Sequence, residues 1–268
     1  MRAFSSTLLV LGLCIAAAPS LRASVSFSSG GTQCGTDCFR ATGGGLTVTA
    51  TGMYATLTGG NTSSPSVGTL TTTNTSVTQY SPYGLGVCDP VAGCGYPDHA
   101  FNNDNGAVDF VLLQLSVPLS SIQLTLSPFN STRDMDTTVI TGFCNSTCSP
   151  NLLTDLVGQT PTAAGLAAIT AVSGMSNVNL VNYSDPGIAG QNTNLTINLT
   201  GLSTGVNWVL IGASDAPYYG DTSKWSNSPD FFKLNALSTP EPATFVLAGS
   251  ALLGLGLLRR KKLFSSKS

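Results

Sequence analysis

Apolar and polar residues alternate along most of the central chain. Leu46-Thr-Val-Thr-Ala-Thr-Gly-Met-Tyr-Ala-Thr-Leu57 alternates around a glycine, and Ile122-Gln-Leu-Thr-Leu126 and Leu195-Thr-Ile-Asn-Leu199 alternate without a break. A period of two places successive side chains on opposite faces, so each of these runs reads as a β-strand. Val108 to Val117 is a mostly apolar run ending at Pro118, Trp208-Val-Leu-Ile-Gly212 is another, and Phe231 to Leu237 forms the last strand. Turn-forming residues recur between the runs, as a sandwich requires. Only Ala163 to Ser173 departs from the pattern; it is Ala-rich and predicts a short helix. There is no exact internal repeat. The expected class is all-β, an antiparallel sandwich.

Both ends differ from this centre. Arg2 precedes the apolar run Leu8 to Ala18, and small residues follow. This is the layout of a secretory signal peptide over residues 1–23, with cleavage by signal peptidase after Ala23 leaving Ser24 as the first mature residue. A lipoprotein reading at Cys14 is disfavoured by Leu13 before it. An uncleaved anchor is the plainer alternative, though the run is short for a span.

At the other end Ala243 to Leu258 is 16 residues without a charge, followed by Arg259, Arg260, Lys261 and Lys262. As a helix it measures roughly 24 Å against a hydrocarbon core of about 30 Å, a gap that snorkelling basic side chains can close. The basic cluster acts as stop-transfer and stays cytoplasmic with residues 263–268. Pro240-Glu241-Pro242, the apolar helix and the basic cluster together resemble a PEP-CTERM sorting tail over residues 240–262. The resemblance implies recognition by exosortase, an inner-membrane-anchored precursor of a Gram-negative bacterium, and delivery to the cell surface or an exopolysaccharide matrix. A simple tail anchor is the alternative.

Charge refines this picture. The chain has 268 residues and only 9% charged, against about 25% for an average soluble domain. Of 13 acidic residues 12 are Asp, and the single Glu is Glu241. Residues 24–239 hold those 12 Asp with only Arg40, Arg133, Lys224 and Lys233, so 4 − 12 gives −8. An acidic ectodomain with no basic face excludes nucleic acid as partner. Six cysteines remain beyond Cys14, clustered as Cys34/Cys38, Cys88/Cys94 and Cys144/Cys148. In an exported chain this predicts three local disulfides in preference to zinc held by cysteine pairs with His99.

The chemical motifs are sparse. Gly201-Leu-Ser203-Thr-Gly205 fits G-x-S-x-G, but a predicted strand follows it and the only histidine, His99, lies far upstream, so it reads as a hairpin turn. Asp98, Asp104, Asn105 and Asp109 are clustered oxygen donors for calcium. Their register is wrong for an EF-hand, and an Asx-rich loop is the plainer reading. Asp134 and Asp136 have the spacing of a carboxylate pair, yet read as a solvated loop before the Thr137 strand. Tyr218, Tyr219 and Trp225, beside Asp215 and Asp221, have the composition of a sugar-binding surface, or of a cap on the sandwich.

Tyr83-Gly-Leu-Gly-Val87, Asp98-His99, Asp104-Asn105, the Asp109-Phe-Val-Leu-Leu strand, Trp208-Val-Leu-Ile-Gly-Ala and Asp230-Phe-Phe-Lys-Leu are similar to a pattern in PEP-CTERM ectodomains, here with Cys88/Cys94 inserted. That resemblance implies a jelly-roll-like β-sandwich and brings no activity. The expected protein is an exported, non-enzymatic surface or matrix component associated with exopolysaccharide and holding no cofactor. A carbohydrate-binding module and an extracellular hydrolase are the other readings.

Overall fold

The structure, a computed structural model, describes residues 23–239 apart from 59–65, 92, 94–99, 104–105, 129–134, 184–192, 203–204 and 214–230. The compact unit runs from Ala23 to Thr239. The first eight strands are β1 (Ser24–Ser26), β2 (Thr32–Gln33), β3 (Cys38–Gly43), β4 (Leu46–Thr58), β5 (Ser66–Thr71), β6 (Ser76–Tyr80), β7 (Gly84–Cys88) and β8 (Phe101–Asn102). They are followed by β9 (Ala107–Leu119), β10 (Ile122–Pro128), β11 (Thr137–Cys144), β12 (Met175–Tyr183), β13 (Leu195–Leu199), β14 (Val206–Ala213) and β15 (Phe231–Ser238). A 3-10 turn at Ser149–Asn151 leads into α1 (Leu152–Leu156), and α2 (Leu166–Thr170) falls within the predicted helical stretch.

Two antiparallel sheets form the expected sandwich. One has the order β13-β10-β15-β7-β6, with β1 and β8 also on β15; the other is β12-β11-β14-β9-β4-β3-β2, with β5 on β4. The predicted strands are all present. Among the described residues no helix is long and apolar enough to cross a membrane. The predicted signal segment and tail helix, with Arg259, Arg260, Lys261 and Lys262, lie outside the described residues.

The larger sheet is built on the β4–β9 pair, registered from Val48↔Leu115 to Thr56↔Ala107. Ala107 through Leu113 are buried without interruption, as are Trp208 through Ala213 of β14. Burial of consecutive residues means that both faces are covered. The smaller sheet covers one face; Gly52 of β4 sits against it, where a Cβ would meet Val77 Cγ2 at 2.9 Å. The helical segment supplies Leu152, Leu156 and Ile169 to the same apolar cluster. Its backbone is tied to β5 by Leu70 N donating to Gln159 O (2.8 Å) and Gly158 N donating to Leu70 O (2.9 Å).

Two of the expected disulfides form, Cys34–Cys38 and Cys144–Cys148. Cys88 is buried on β7 and takes part in neither, and Cys94 lies outside the described residues. Cys144 and Cys148 are 2% and 1% exposed, so this bridge is part of the core rather than a surface staple. Replacing both by serine is expected to cost about 2 kcal/mol, the loop-closure value for so small a ring, and urea denaturation of the oxidised double variant checks it.

Candidate functional site

The strand registers bring six of the connections to one end of the sandwich. Ala213 at the end of β14 lies opposite Thr137 at the start of β11, which lies opposite Tyr183 at the end of β12. Ala107 at the start of β9 faces Thr56 near the end of β4. In the other sheet Phe232 near the start of β15 pairs with Pro128, the last residue of β10, and with Phe101 of β8. The two sheets meet here through Asn102 and Asp109. Asn102 N and Nδ2 donate to Asp109 Oδ2 at 3.2 Å and 2.9 Å, and both residues are fully buried. Phe101 and Phe232 stack beside them with ring centroids 5.1 Å apart.

The connections leaving this end are residues 59–65, 89–100, 103–106, 129–136, 184–194 and 214–230. With Asp109 at the mouth of β9, they contain every aspartate of residues 24–239 except Asp37 and Asp155, that is 12 − 2 = 10, against Arg133 and Lys224 as the only Lys or Arg. In sequence, then, the aspartates are concentrated in the connections that leave this end and at the start of β9; of these ten, Asp89, Asp109 and Asp136 are described. All four candidate calcium donors and all three candidate sugar-binding aromatics belong to these connections or their mouths.

Of those candidates Asp109 alone is described. Its carboxylate is engaged by Asn102 inside the sandwich. Asp98, His99, Asp104, Asn105, Asp134, Tyr218, Tyr219 and Trp225 lie outside the described residues, as does Ser203. Among the described residues no three His, Cys, Asp or Glu are grouped to hold a metal ion. Asp136 corrects the expectation of a solvated loop. It is 5% exposed, drawn inward immediately before β11, whose Thr137 and Thr138 are fully buried. The strand β14 begins directly after Gly205, where a hydrolase elbow would need a helix. Gly205 N donates to Leu202 O at 2.8 Å, so the chain does turn, but the expected hairpin is corrected: β13 pairs with β10 in the smaller sheet and β14 with β11 and β9 in the larger, and the turn carries the chain from one sheet to the other. Near Cys88 the chain also turns, with an isolated bridge Asp89↔Gly93 and Asp89 Oδ1 accepting from Val91 N at 2.6 Å.

Nothing in the sequence singled out Lys233. It is 3% exposed, on β15 opposite Ser127, with Nζ 4.4 Å from the ring centroid of Tyr80. Burial lowers its pKa from 10.5 to about 8, while the charge of nearby Cys88 pulls the other way. Between those two values the unfolded chain binds more protons than the folded one, so stability rises with pH. Relative to Lys233→Met, the wild type is expected to gain up to about 3 kcal/mol as pH is raised from 8 to 10.5. Paired denaturation curves across that range test it.

The opposite end of the sandwich is where the chain enters and leaves. Ser24↔Ser238, Val25↔Leu237 and Ser26↔Ala236 pair β1 with β15. Ala23 N donates to Thr239 Oγ1 at 3.2 Å, and Thr239 N donates to Ala23 O at 2.9 Å. Thr239, the last described residue, therefore lies beside Ala23, the first. Pro240, Glu241 and Pro242 themselves lie outside the described residues.

No curated protein and no solved structure matches the chain. A family model does match at the C-terminus, the PEP-CTERM protein-sorting motif, over residues 238–261. It covers the proline-flanked Glu241, the apolar stretch and the first three basic residues in one alignment. Residues 238–261 are thus a PEP-CTERM protein-sorting motif, and the chain is an exported protein of the exosortase-sorted kind, made as a membrane-anchored precursor.

Proposed function

We propose that this chain is a non-catalytic structural or interaction protein of the cell surface or extracellular matrix, associated with exopolysaccharide through the acidic loop end of its sandwich. The observation that carries the proposal is the polarity of β15. Its Ser238 end is continuous with the sorting motif, and its Phe231 end is continuous with the connection 214–230 that contains Tyr218, Tyr219, Trp225 and three of the aspartates. Eight extended residues span roughly 25 Å, so the connection proposed to interact and the sorting motif join the fold at the two ends of one strand. Aromatic rings beside Asp and Asn supply stacking and hydroxyl contacts, the chemistry a polysaccharide chain recognises.

The sorting half is tested by changing Pro240 and Glu241 together to alanine. The expected product is a full-length, membrane-retained precursor; a secreted protein of normal mature size would refute the assignment. The interaction half is tested by retention of the exported protein on the host's own exopolysaccharide. Trp225→Ala or Tyr219→Ala is expected to weaken retention about tenfold, a loss of 1–3 kcal/mol for one stacked ring being ordinary. Unchanged retention by both variants would remove the aromatics from the site.

A further inference from the structure

The two disulfides close rings of equal size but differ in exposure. Cys34–Cys38 and Cys144–Cys148 each join residues 4 apart in sequence, so both restrict the unfolded chain alike. Cys144 and Cys148 are buried, whereas Cys34 is exposed and Cys38 half-exposed. The exposed ring also bridges the two sheets. On one side Gly52 N of β4 donates to Asp37 O at 2.9 Å, and on the other Val77 N of β6 donates to Thr36 O at 3.2 Å. Gln33 Nε2 donates to Val77 O at 2.7 Å, and to Gly35 O and Thr36 O at 2.7 Å and 3.2 Å. Both backbone groups of Val77 are thus taken on the outer edge of β6, the last strand of the smaller sheet. An edge strand whose backbone groups are open is a template for pairing, and a covering loop protects it.

We propose that Cys34–Cys38 is a redox latch. Closed, it holds residues 33–38 as a strap from β4 to β6; opened by a dithiol, it lets the strap leave and bares the edge of β6. A thiolate of the reductant attacks Cys34 Sγ, the S–S bond breaks, and Cys38 departs as a thiolate. The second thiol of the reductant then displaces Cys34, and the reductant ends as its own disulfide. Two electrons have passed to the protein, and the two thiol protons of the reductant end on Cys34 and Cys38. The strap then keeps only separate hydrogen bonds, each of small net strength. The sandwich beneath it stays closed. Val77 is fully buried, β6 remains registered on β7 from Ser76↔Cys88 to Tyr80↔Gly84, and Thr75 Oγ1 still donates to Gly52 O at 3.0 Å. The buried Cys144–Cys148 bridge is out of reach of the same reagent while the core is folded.

The experiment treats the folded, exported protein with dithiothreitol, alkylates the freed thiols and follows hydrogen exchange by mass spectrometry. Alkylation is expected at Cys34 and Cys38 and not at Cys144 or Cys148. Exchange at the Val77 and Gly52 amides is expected to accelerate about thirtyfold, the loop-closure factor for so small a ring, and to return on reoxidation. Cys34→Ser combined with Cys38→Ser is expected to exchange like the reduced wild type, and dithiothreitol should not move those two amides further. Reduction of both bridges at one rate in the folded protein would overturn the latch. So would a reduced Cys34–Cys38 pair with exchange unchanged at Val77 and Gly52. Acceleration spread equally over the β4–β9 centre would overturn it as well, because that is unfolding of the sandwich and not release of a strap. Should the double-serine variant not fold, the wild-type protein titrated with dithiothreitol gives each of these readings by itself.

Discussion

Replacing Gly84 by alanine is expected to cost about 3–6 kcal/mol, a large part of the 5–15 kcal/mol that holds an ordinary domain folded. Gly84 opens β7 with φ +121, a region that side-chain-bearing residues enter at a cost of about 1–3 kcal/mol. A Cβ there would also collide with the carbonyl oxygen of Leu234, and would lie 2.6 Å from the Leu234 carbonyl carbon and 2.9 Å from Asn235 Cα. These are backbone atoms of β15, the strand that joins β10 to β7, β8 and β1. They cannot rotate away as a side chain would, so β7 must shift off its Leu234↔Leu85 pairing. Gly45→Ala is the control. It also has positive φ, +80, but nothing lies within 4 Å of its Cβ, so about 1 kcal/mol is expected. Guanidinium denaturation of both variants separates the backbone collision from the conformational term. Equal midpoints would show that the collision is relieved by movement.

The same strand shows what local sequence pattern can and cannot convey. The alternation at Leu46–Leu57, Ile122–Leu126 and Leu195–Leu199 becomes β4, β10 and β13 nearly residue for residue, because the alternate apolar residues of each join the core cluster. In β7 glycines occupy alternate positions, Gly84 and Gly86, so one face carries only the Cys88 side chain and registers no period. Its five residues are nonetheless all buried. β12 is rich in Ser and Asn, pairs only with β11 and carries a register shift, so its half-exposed residues alternate weakly. The β1–β15 pair joins residues more than 200 positions apart, and no local signal announces such a contact. Lys233 looks like a surface charge in a strand, and only the fold reveals it lying over Tyr80. Candidate ligands could be picked from composition, since Asp, Tyr and Trp declare their chemistry. That the connections containing nine of the aspartates leave from one end, beside Asp109, depends on strand register, which composition does not contain.

Asp109→Ala is expected to be the second severe change, and it bears directly on that end of the molecule. The substitution removes the acceptor from two buried donors, Asn102 N and Nδ2, each costing about 1–3 kcal/mol when stranded. For a domain of this size a loss of about 3 kcal/mol lowers the melting midpoint by roughly 6–12 °C. Asp109→Asn keeps an oxygen of the same reach and is expected to lose less than half as much. The damage should begin locally. β8 is only Phe101 and Asn102, held by its pairing with Phe231 and Phe232 and by Asp109. Hydrogen exchange at Asn102 should therefore accelerate more than at the β4–β9 centre, and retention on exopolysaccharide should fall at temperatures where the rest of the sandwich is intact. A calcium-ligand role for Asp109 makes the contrary forecast. The wild-type midpoint would climb with added calcium, and Asp109→Asn, having surrendered the charge, would be nearly as weak as Asp109→Ala. The ranking of the two variants, measured with calcium and with chelator, decides whether the carboxylate serves the cation or the joint between the sheets.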